Sequence, residues 1–165
     1  MSAVGTPMLR KEDPKLLTGE GKYVDDIQVT GQLWMGMVRS PYAHAKVLGI
    51  ETADAAAAPG VHAVYTGADL DAMGLWIGPL PCAWPVTPDM ANPPHFPVST
   101  AEVNHVGDIV AVVLADDRYR AADAAELVVV DYDPLPAVAS IDAAVADEAM
   151  AHSDLGTNKA YHWPL

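Results

Sequence analysis

The sequence predicts an α+β domain in which a mixed sheet carries strand–helix–strand units and short helices. The clearest observation is an apolar stretch at 109–115, followed by an alanine-rich segment and then by a second stretch of β-branched residues. A shorter unit of the same kind covers 45–66. With 165 residues and 51% hydrophobic side chains, the chain is large enough for one domain with a buried core.

The second half of the chain gives the strongest prediction. Residues 109–115 are apolar at every position, which is typical of a central strand covered on both faces. Asp116 and Asp117 are suitable N-cap residues for a helix over about 118–127, whose alanines can lie close to a sheet. The next strand is predicted at 128–132, and a right-handed crossover would make it parallel to the strand at 109–115.

The remaining predicted elements are short. Apolar stretches between turn residues predict strands, and segments of strong helix formers predict helices. The predicted strands lie at 33–39, 45–50 and 61–66, and the predicted helices at 53–58, 69–73 and 141–146.

Turn-rich segments divide the chain into three regions. We expect an extended N-terminal arm at 1–30, the α+β domain at 31–147, and an irregular C-terminal tail at 148–165. Within the domain, the loop 74–100 contains seven of the fourteen prolines, so regular structure is nearly impossible there. Its large apolar side chains are nevertheless unlike those of a disordered segment.

We therefore expect an ordered loop that presses against another surface. Trp76, Trp84 and Met90 are the candidate anchors of a partner interface, because interfaces favour large apolar and aromatic groups. The alternative, in which these side chains fold back onto their own domain, remains open. Cys82 lies among apolar neighbours in the same loop, which suggests a packed thiol, and a single cysteine cannot form an intramolecular disulfide.

Charge and hydropathy exclude several classes of partner. Twenty-two acidic and nine basic residues give a net charge of −13, whereas nucleic-acid binding requires clustered basic residues. Nucleic acids and anionic membranes are therefore not expected partners.

The longest apolar stretch is far shorter than the ~20 residues of a membrane-spanning helix, and the start of the chain does not resemble a secretory signal. We expect a cytoplasmic protein.

A search for catalytic, cofactor and metal sites gives no candidate. No histidine forms a metal-binding pair by its spacing, so we expect each to be structural or exposed; they are His44, His62, His95, His105, His152 and His162. The carboxylate pairs Asp25–Asp26 and Asp131–Asp133 are better explained by turns than by acid–base catalysis.

Two further motifs carry little weight. Gly19-Glu-Gly21 lacks the lysine and serine or threonine of a phosphate-binding loop and the spacing of a dinucleotide fingerprint. Ser40 and His44 could nominally belong to a hydrolase triad, but no Gly-x-Ser-x-Gly elbow is present.

Five blocks, in order, resemble the large subunit of the xanthine dehydrogenase, aldehyde oxidase and carbon monoxide dehydrogenase family. The first block is similar to the start of this subunit in these molybdenum hydroxylases, and the other four are similar to segments that follow it. The resemblance covers residues 10 to 160. The blocks are Arg10-x-Glu-Asp with Leu17-Thr-Gly-Glu-Gly-Lys-Tyr-Val-Asp-Asp-Ile27, Arg39-Ser-Pro-Tyr-Ala-His-Ala45, Pro59-Gly-Val-His-Ala-Val-Tyr-Thr-Gly-Ala-Asp-Leu70, Val106-Gly-Asp-Ile-Val-Ala-Val-Val-Leu-Ala115 and Ala121-Ala-Asp-Ala-Ala-Glu-Leu-Val-Val-Val-Asp-Tyr-Asp-Pro-Leu-Pro136. One departure is Ile109, where the family often has proline, and it should only lengthen the strand.

The resemblance implies an N-terminal α/β hammerhead domain with a structural and assembly role. The family's catalytic and molybdenum-contacting residues belong to a later region, so none is carried over to this chain, which we expect to be truncated or split before that region. Molybdopterin, iron–sulfur clusters and FAD are implied only for the full complex, with the iron–sulfur and flavin modules on separate subunits. The enzymes act on aldehydes, N-heterocycles or carbon monoxide, and the sequence does not identify which. The alternative is an independent small binding or assembly module with the same fold and no catalysis.

Overall fold

The computed structural model describes residues 4–5, 7–75, 79–80 and 87–162. Trp76, Cys82 and Trp84, for which the sequence makes predictions, lie outside the described residues. The chain divides into two compact units, residues 1–32 and residues 33–165.

The first unit consists mainly of turns. It contains one short helix, α1 (Asp13–Leu17), which the sequence analysis did not predict, and a 3-10 turn at Val24–Asp26. Asp26 stabilises this turn, since its Oδ2 accepts a hydrogen bond of 2.9 Å from the backbone N–H of Tyr23. The interpretation of Asp26 as a turn residue is therefore confirmed. None of the described residues of this unit is buried.

The second unit contains six strands and four helices among its described residues. In chain order these are β1 (Trp34–Arg39), β2 (Ala45–Glu51), α2 (Ala53–Ala57), β3 (Val61–Thr66), α3 (Gly67–Ala72), β4 (Glu102–Val103), β5 (Ile109–Ala115), α4 (Arg118–Glu126), β6 (Val129–Pro134) and α5 (Ile141–Val145). No helix in the described part of the chain is long and apolar enough to cross a membrane.

The strands form two three-stranded antiparallel sheets, with the orders β1–β5–β3 and β4–β2–β6. The α+β class is confirmed, but the predicted parallel pairing of β5 with β6 in one mixed sheet is wrong. Both edges of β5 are already occupied by β1 and β3, so β6 pairs with β2 in the other sheet. Each strand–helix–strand unit therefore connects the two sheets.

The core lies on and between the sheets. β5 is the central strand of its sheet, as predicted, and Val110, Ala111 and Val113 in it are fully buried. One core cluster extends from β5 to helices α2 and α4, and the other extends to β2 and β4. The half-buried side chains Val38, Ile50 and Val130 pack against both clusters, so the two sheets share one continuous core.

Side-chain caps set the starts of two helices. Asp117 is the N-cap of α4, as predicted, because its Oδ1 accepts hydrogen bonds of 2.9 Å from the N–H groups of Tyr119 and Arg120. Helix α3 begins two residues earlier than predicted, because Thr66 and Asp69 cap it reciprocally. Hydrogen bonds from Thr66 lower the pKa of Asp69.

The described end of the proline-rich loop packs onto its own domain. Val98 and Ser99 are buried, and the N–H of Ser99 donates a hydrogen bond of 2.7 Å to the carbonyl of Ile109. Further back, Met90 is half-buried, and Ala91 N–H donates a hydrogen bond of 2.9 Å to Ala160 in the tail. The loop and the tail are therefore linked at this point.

Candidate functional site

Several interacting polar side chains surround the turn between β4 and β5. Gly107, whose φ of 92° suits glycine, donates its N–H to the carbonyl of Ser40 at 2.8 Å. Ser40 N–H in return donates to the carbonyl of Asp108 at 2.8 Å. These two bonds fix the turn to the end of β1, so the side chains on either side of it have defined positions.

His44 and Glu102 form a hydrogen-bonded brace next to this turn. His44 is only 5% exposed, and its Nδ1 lies 2.9 Å from the Pro136 carbonyl while its Nε2 lies 2.8 Å from Glu102 Oε1. The same carboxylate oxygen accepts hydrogen bonds from Asn104 Nδ2 at 3.0 Å and from Ser153 N–H at 3.2 Å. The brace therefore connects β2, β4, the segment after β6 and the tail.

Two opposing effects act on the pKa of Glu102. Partial burial raises it by desolvation, whereas the hydrogen bonds from His44, Ser153 and Asn104 lower it. The hydrogen bonds together outweigh the burial, so the pKa lies below its usual value and the ionised carboxylate is favoured.

A second cluster joins the loop end to the turn. His95, His105 and Asp108 each place a ligand atom within 4.8 Å of the other two. The rings of His95 and His105 meet edge to face with their centroids 5.9 Å apart, and His105 Nδ1 lies 3.6 Å from Asp108 Oδ2. Asp108 is buried, while both imidazoles are exposed. Sequence reasoning missed this cluster, because its residues follow no known metal-binding spacing.

Two cavities border the cluster. One of about 280 Å³ lies between the loop end, β4 and the tail, and its polar lining includes Glu102, Asn104 and Asp154. The other, of about 230 Å³, is bordered by Arg39 and Leu80. His95 and Asp108 line both cavities, so solvent and small ligands can reach the cluster from two sides.

The hydrogen bonds of Ser40 and His44 are made to groups outside a hydrolase triad. Both ring nitrogens of His44 face Pro136 and Glu102, and the Ser40 hydroxyl donates to the Tyr42 carbonyl at 3.1 Å. His44 is therefore committed to the brace and does not activate Ser40.

The paired carboxylates and the glycine motif of the sequence analysis belong to other elements. Asp131 and Asp133 are exposed on β6, where Asp133 lies opposite Lys46 of β2 in the antiparallel register. Gly19 follows α1 in the first unit with a φ of 77°. Of the three proposed interface anchors, only Met90 is among the described residues.

Comparison with known proteins places these elements in a family. The family described as "Aldehyde oxidase and xanthine dehydrogenase, a/b hammerhead domain" matches residues 18–136. The chain is 42% identical over 156 residues to the carbon monoxide dehydrogenase large chain of Hydrogenophaga pseudoflava, a match that covers 93% of this chain and 18% of the relative. It is 38% identical over 138 residues to the nicotine 6-hydroxylase large subunit of Paenarthrobacter nicotinovorans, covering 83% of this chain and 16% of the relative.

Among solved structures, quinoline 2-oxidoreductase from Pseudomonas putida 86 is similar with a TM-score of 0.79 and 40% identity. The similarity covers 93% of this chain and 19% of that structure's chain. The sequence analysis identified the same family from its five blocks, and that identification is confirmed. The chain thus spans less than a fifth of these relatives and belongs to the a/b hammerhead domain family of aldehyde oxidase and xanthine dehydrogenase.

Proposed function

We propose that this chain is the non-catalytic structural and assembly domain of a molybdenum hydroxylase large subunit. The observation that carries the proposal is the match of residues 18–136 to the hammerhead domain, in a chain that spans 18% of a carbon monoxide dehydrogenase large chain. On this proposal, the molybdopterin-binding region belongs to the same enzyme, and iron–sulfur and flavin subunits complete the complex.

The polar side chains of the domain support a structural role. The buried His44 and the half-buried Glu102 are held in the brace, and Asn104 is bound to Glu102 and to the Ala151 carbonyl. An iron–sulfur cluster of the usual kind needs four cysteine ligands, whereas the sequence has one cysteine. Such a cluster would therefore be held outside these 165 residues.

Exposed apolar side chains support an assembly role. Met35 and Met37 of β1 are 53% and 39% exposed, and they point to the same face of the sheet because they are two residues apart. We propose that this face, together with the arm, the proline-rich loop and the tail, contacts the remainder of the large subunit. Trp76, Trp84 and Met90 remain the proposed anchors within the loop.

A domain exchange tests this function. The chain would replace its equivalent in the large chain of Hydrogenophaga pseudoflava carbon monoxide dehydrogenase, where 42% identity makes a compatible junction feasible. We expect a complex that assembles, contains stoichiometric molybdenum and oxidises carbon monoxide, whereas the isolated chain turns over neither aldehydes, purines nor carbon monoxide. Assembly is measured by size-exclusion chromatography and molybdenum by elemental analysis.

Variants of the exchanged domain separate folding from assembly. Replacing Met35 and Met37 by lysine should abolish assembly while the isolated chain keeps its circular dichroism spectrum. The matched control is Tyr119→Lys on helix α4, which is 75% exposed and should leave assembly intact. A folded chain whose chimera never acquires molybdenum would instead favour an independent binding module. Turnover by the isolated chain would refute the non-catalytic role.

A further inference from the structure

We propose that His95, His105 and Asp108 bind one divalent transition-metal ion of the zinc class. Their ligand atoms lie within 4.8 Å of one another, and two imidazoles with one carboxylate form a donor set that zinc accepts. The ion would connect the end of the proline-rich loop to the turn between β4 and β5. This site is independent of the proposed function, because it needs no other subunit.

The geometry of one ligand pair already approaches that of a bound ion. In a tetrahedral zinc site, bond lengths near 2.1 Å separate neighbouring ligand atoms by about 3.4 Å. His105 Nδ1 and Asp108 Oδ2 are 3.6 Å apart. The ring of His95 meets that of His105 edge to face, and both imidazoles are exposed, so they can turn toward a shared ion.

Hydrogen bonds orient the carboxylate ligand. Asp108 is buried, and its Oδ2 accepts a bond of 3.1 Å from Asn104 N–H. A carboxylate has about four acceptor positions, so this bond leaves positions for an ion. Metal-binding carboxylates in proteins are commonly held by such outer-shell bonds.

Backbone hydrogen bonds hold two of the three ligand residues, His95 and Asp108, before an ion binds. His95 is fixed through its carbonyl, which accepts a bond of 2.7 Å from Leu80 N–H, and Asp108 through the bond from Ser40 N–H. The cavities on either side leave room for water, which would complete the coordination as in zinc sites with three protein ligands.

Neighbouring charges set the expected strength of binding. The Arg39 guanidinium borders the site and donates a hydrogen bond to the Gly107 carbonyl at 2.8 Å. Its positive charge opposes the binding of a cation. Glu102 and Asp154 line the adjoining cavity, and their negative charges favour the binding of a cation. With three protein ligands and these opposing charges, we expect reversible binding, weaker than that of a four-ligand structural zinc site.

Titration of the full 165-residue chain, prepared metal-free and without a histidine tag, tests the site. We expect one Zn²⁺ per chain by calorimetry, one Co²⁺ by visible absorption, and a higher thermal midpoint with Zn²⁺. His95→Ala and His105→Ala should each weaken Zn²⁺ binding by at least about tenfold, because each removes one ligand. Both residues are exposed, so these variants should fold, and circular dichroism checks this.

The matched control is His62→Ala. His62 is also exposed and pairs with a carboxylate, Asp116, at 2.7 Å, but it is not part of the cluster. Binding should be unchanged in this variant. The proposal is overturned if the wild-type chain binds no ion, if it binds several weak ions, or if the His95 and His105 variants bind as tightly as wild type.

Discussion

Gly36 occupies the point where helix α4 approaches β1 most closely. A Cβ atom at this position would lie 2.4 Å from the carbonyl oxygen of Ala121 and 2.9 Å from its carbonyl carbon. Because both are backbone atoms, a side-chain rotation cannot relieve the overlap. Ala121 and Ala124 are buried on the facing side of the helix, so small residues on both elements permit this close packing.

Gly36→Ala should therefore destabilise the domain. We expect a loss of about 1–3 kcal/mol in the free energy of unfolding, the usual cost of overpacking a well-packed core. Gly49→Ala on β2 is the matched control, since a Cβ atom there would have no other atom within 4 Å and the φ of Gly49 is not positive. Urea denaturation followed by circular dichroism measures both variants. Equal stability of the two would show that α4 moves away from β1 at little cost.

At the scale of elements, the brace of His44 and Glu102 holds the second sheet and the tail together. β4 has only two residues and pairs with β2 at Ala45 and Lys46, so its backbone hydrogen bonds alone give it little support. The side chains of His44, Glu102 and Asn104 add bonds to Pro136, Ser153 and Ala151. These bonds reach two segments that are distant in sequence, the one after β6 and the tail.

The lowered pKa of Glu102 gives this brace a pH dependence. A carboxyl group whose pKa is lowered by folding contributes stability above its unfolded pKa, here about 4.5, and this contribution is lost as the pH falls through the folded value. Glu102→Gln should cost about 1 kcal/mol at neutral pH, because hydrogen bonds to a neutral amide are weaker. The difference from wild type should shrink below pH 4.5.

Urea titrations at several pH values measure this difference. Glu51→Gln, at an exposed carboxylate on β2, is the control and should match wild type throughout. A Glu102→Gln deficit that stays constant from neutral pH into acid would mean that the ionised carboxylate does not carry the stabilisation.

At the scale of the whole molecule, the buried core of the described residues lies in the second unit. Both buried clusters lie within residues 33–165, and the described residues of the first unit include none that is buried. The C-terminal tail differs from the arm, because Ala151 and Ser153 bond to the brace and Asn158 bonds to the Ala149 carbonyl at 2.6 Å.

Removing the two ends should therefore have unequal effects. A chain starting at Leu33 should unfold cooperatively with its thermal midpoint lowered by less than about 3 °C, whereas removal of residues 148–165 should lower it by about 5 °C or more. Differential scanning calorimetry compares the two truncations. A larger loss from the N-terminal truncation would mean that the arm stabilises the fold.

The sequence predicted local structure well for a physical reason. The apolar stretches at 61–66 and 109–115 coincide with β3 and β5. A strand that packs in the core needs apolar residues close together in the sequence, so a short window of residues is enough to recognise it. The cap at Asp117 and the small face of α4 are equally local. Sheet pairing, in contrast, is not a local property. The parallel pairing expected for β5 and β6 was wrong because β1 and β3 already occupy both edges of β5.

The candidate metal site shows the same limit. His95 comes from the end of the loop, and His105 and Asp108 come from the turn, so no short motif contains them. By itself, the sequence determined the family, the α+β class and most elements, since these depend on residue patterns along the chain. Only the tertiary structure decided which strands share a sheet, that Gly36 must lack a side chain, and that two exposed histidines meet a buried carboxylate. These features depend on contacts between segments that are distant in the sequence, and local residue patterns do not predict such contacts.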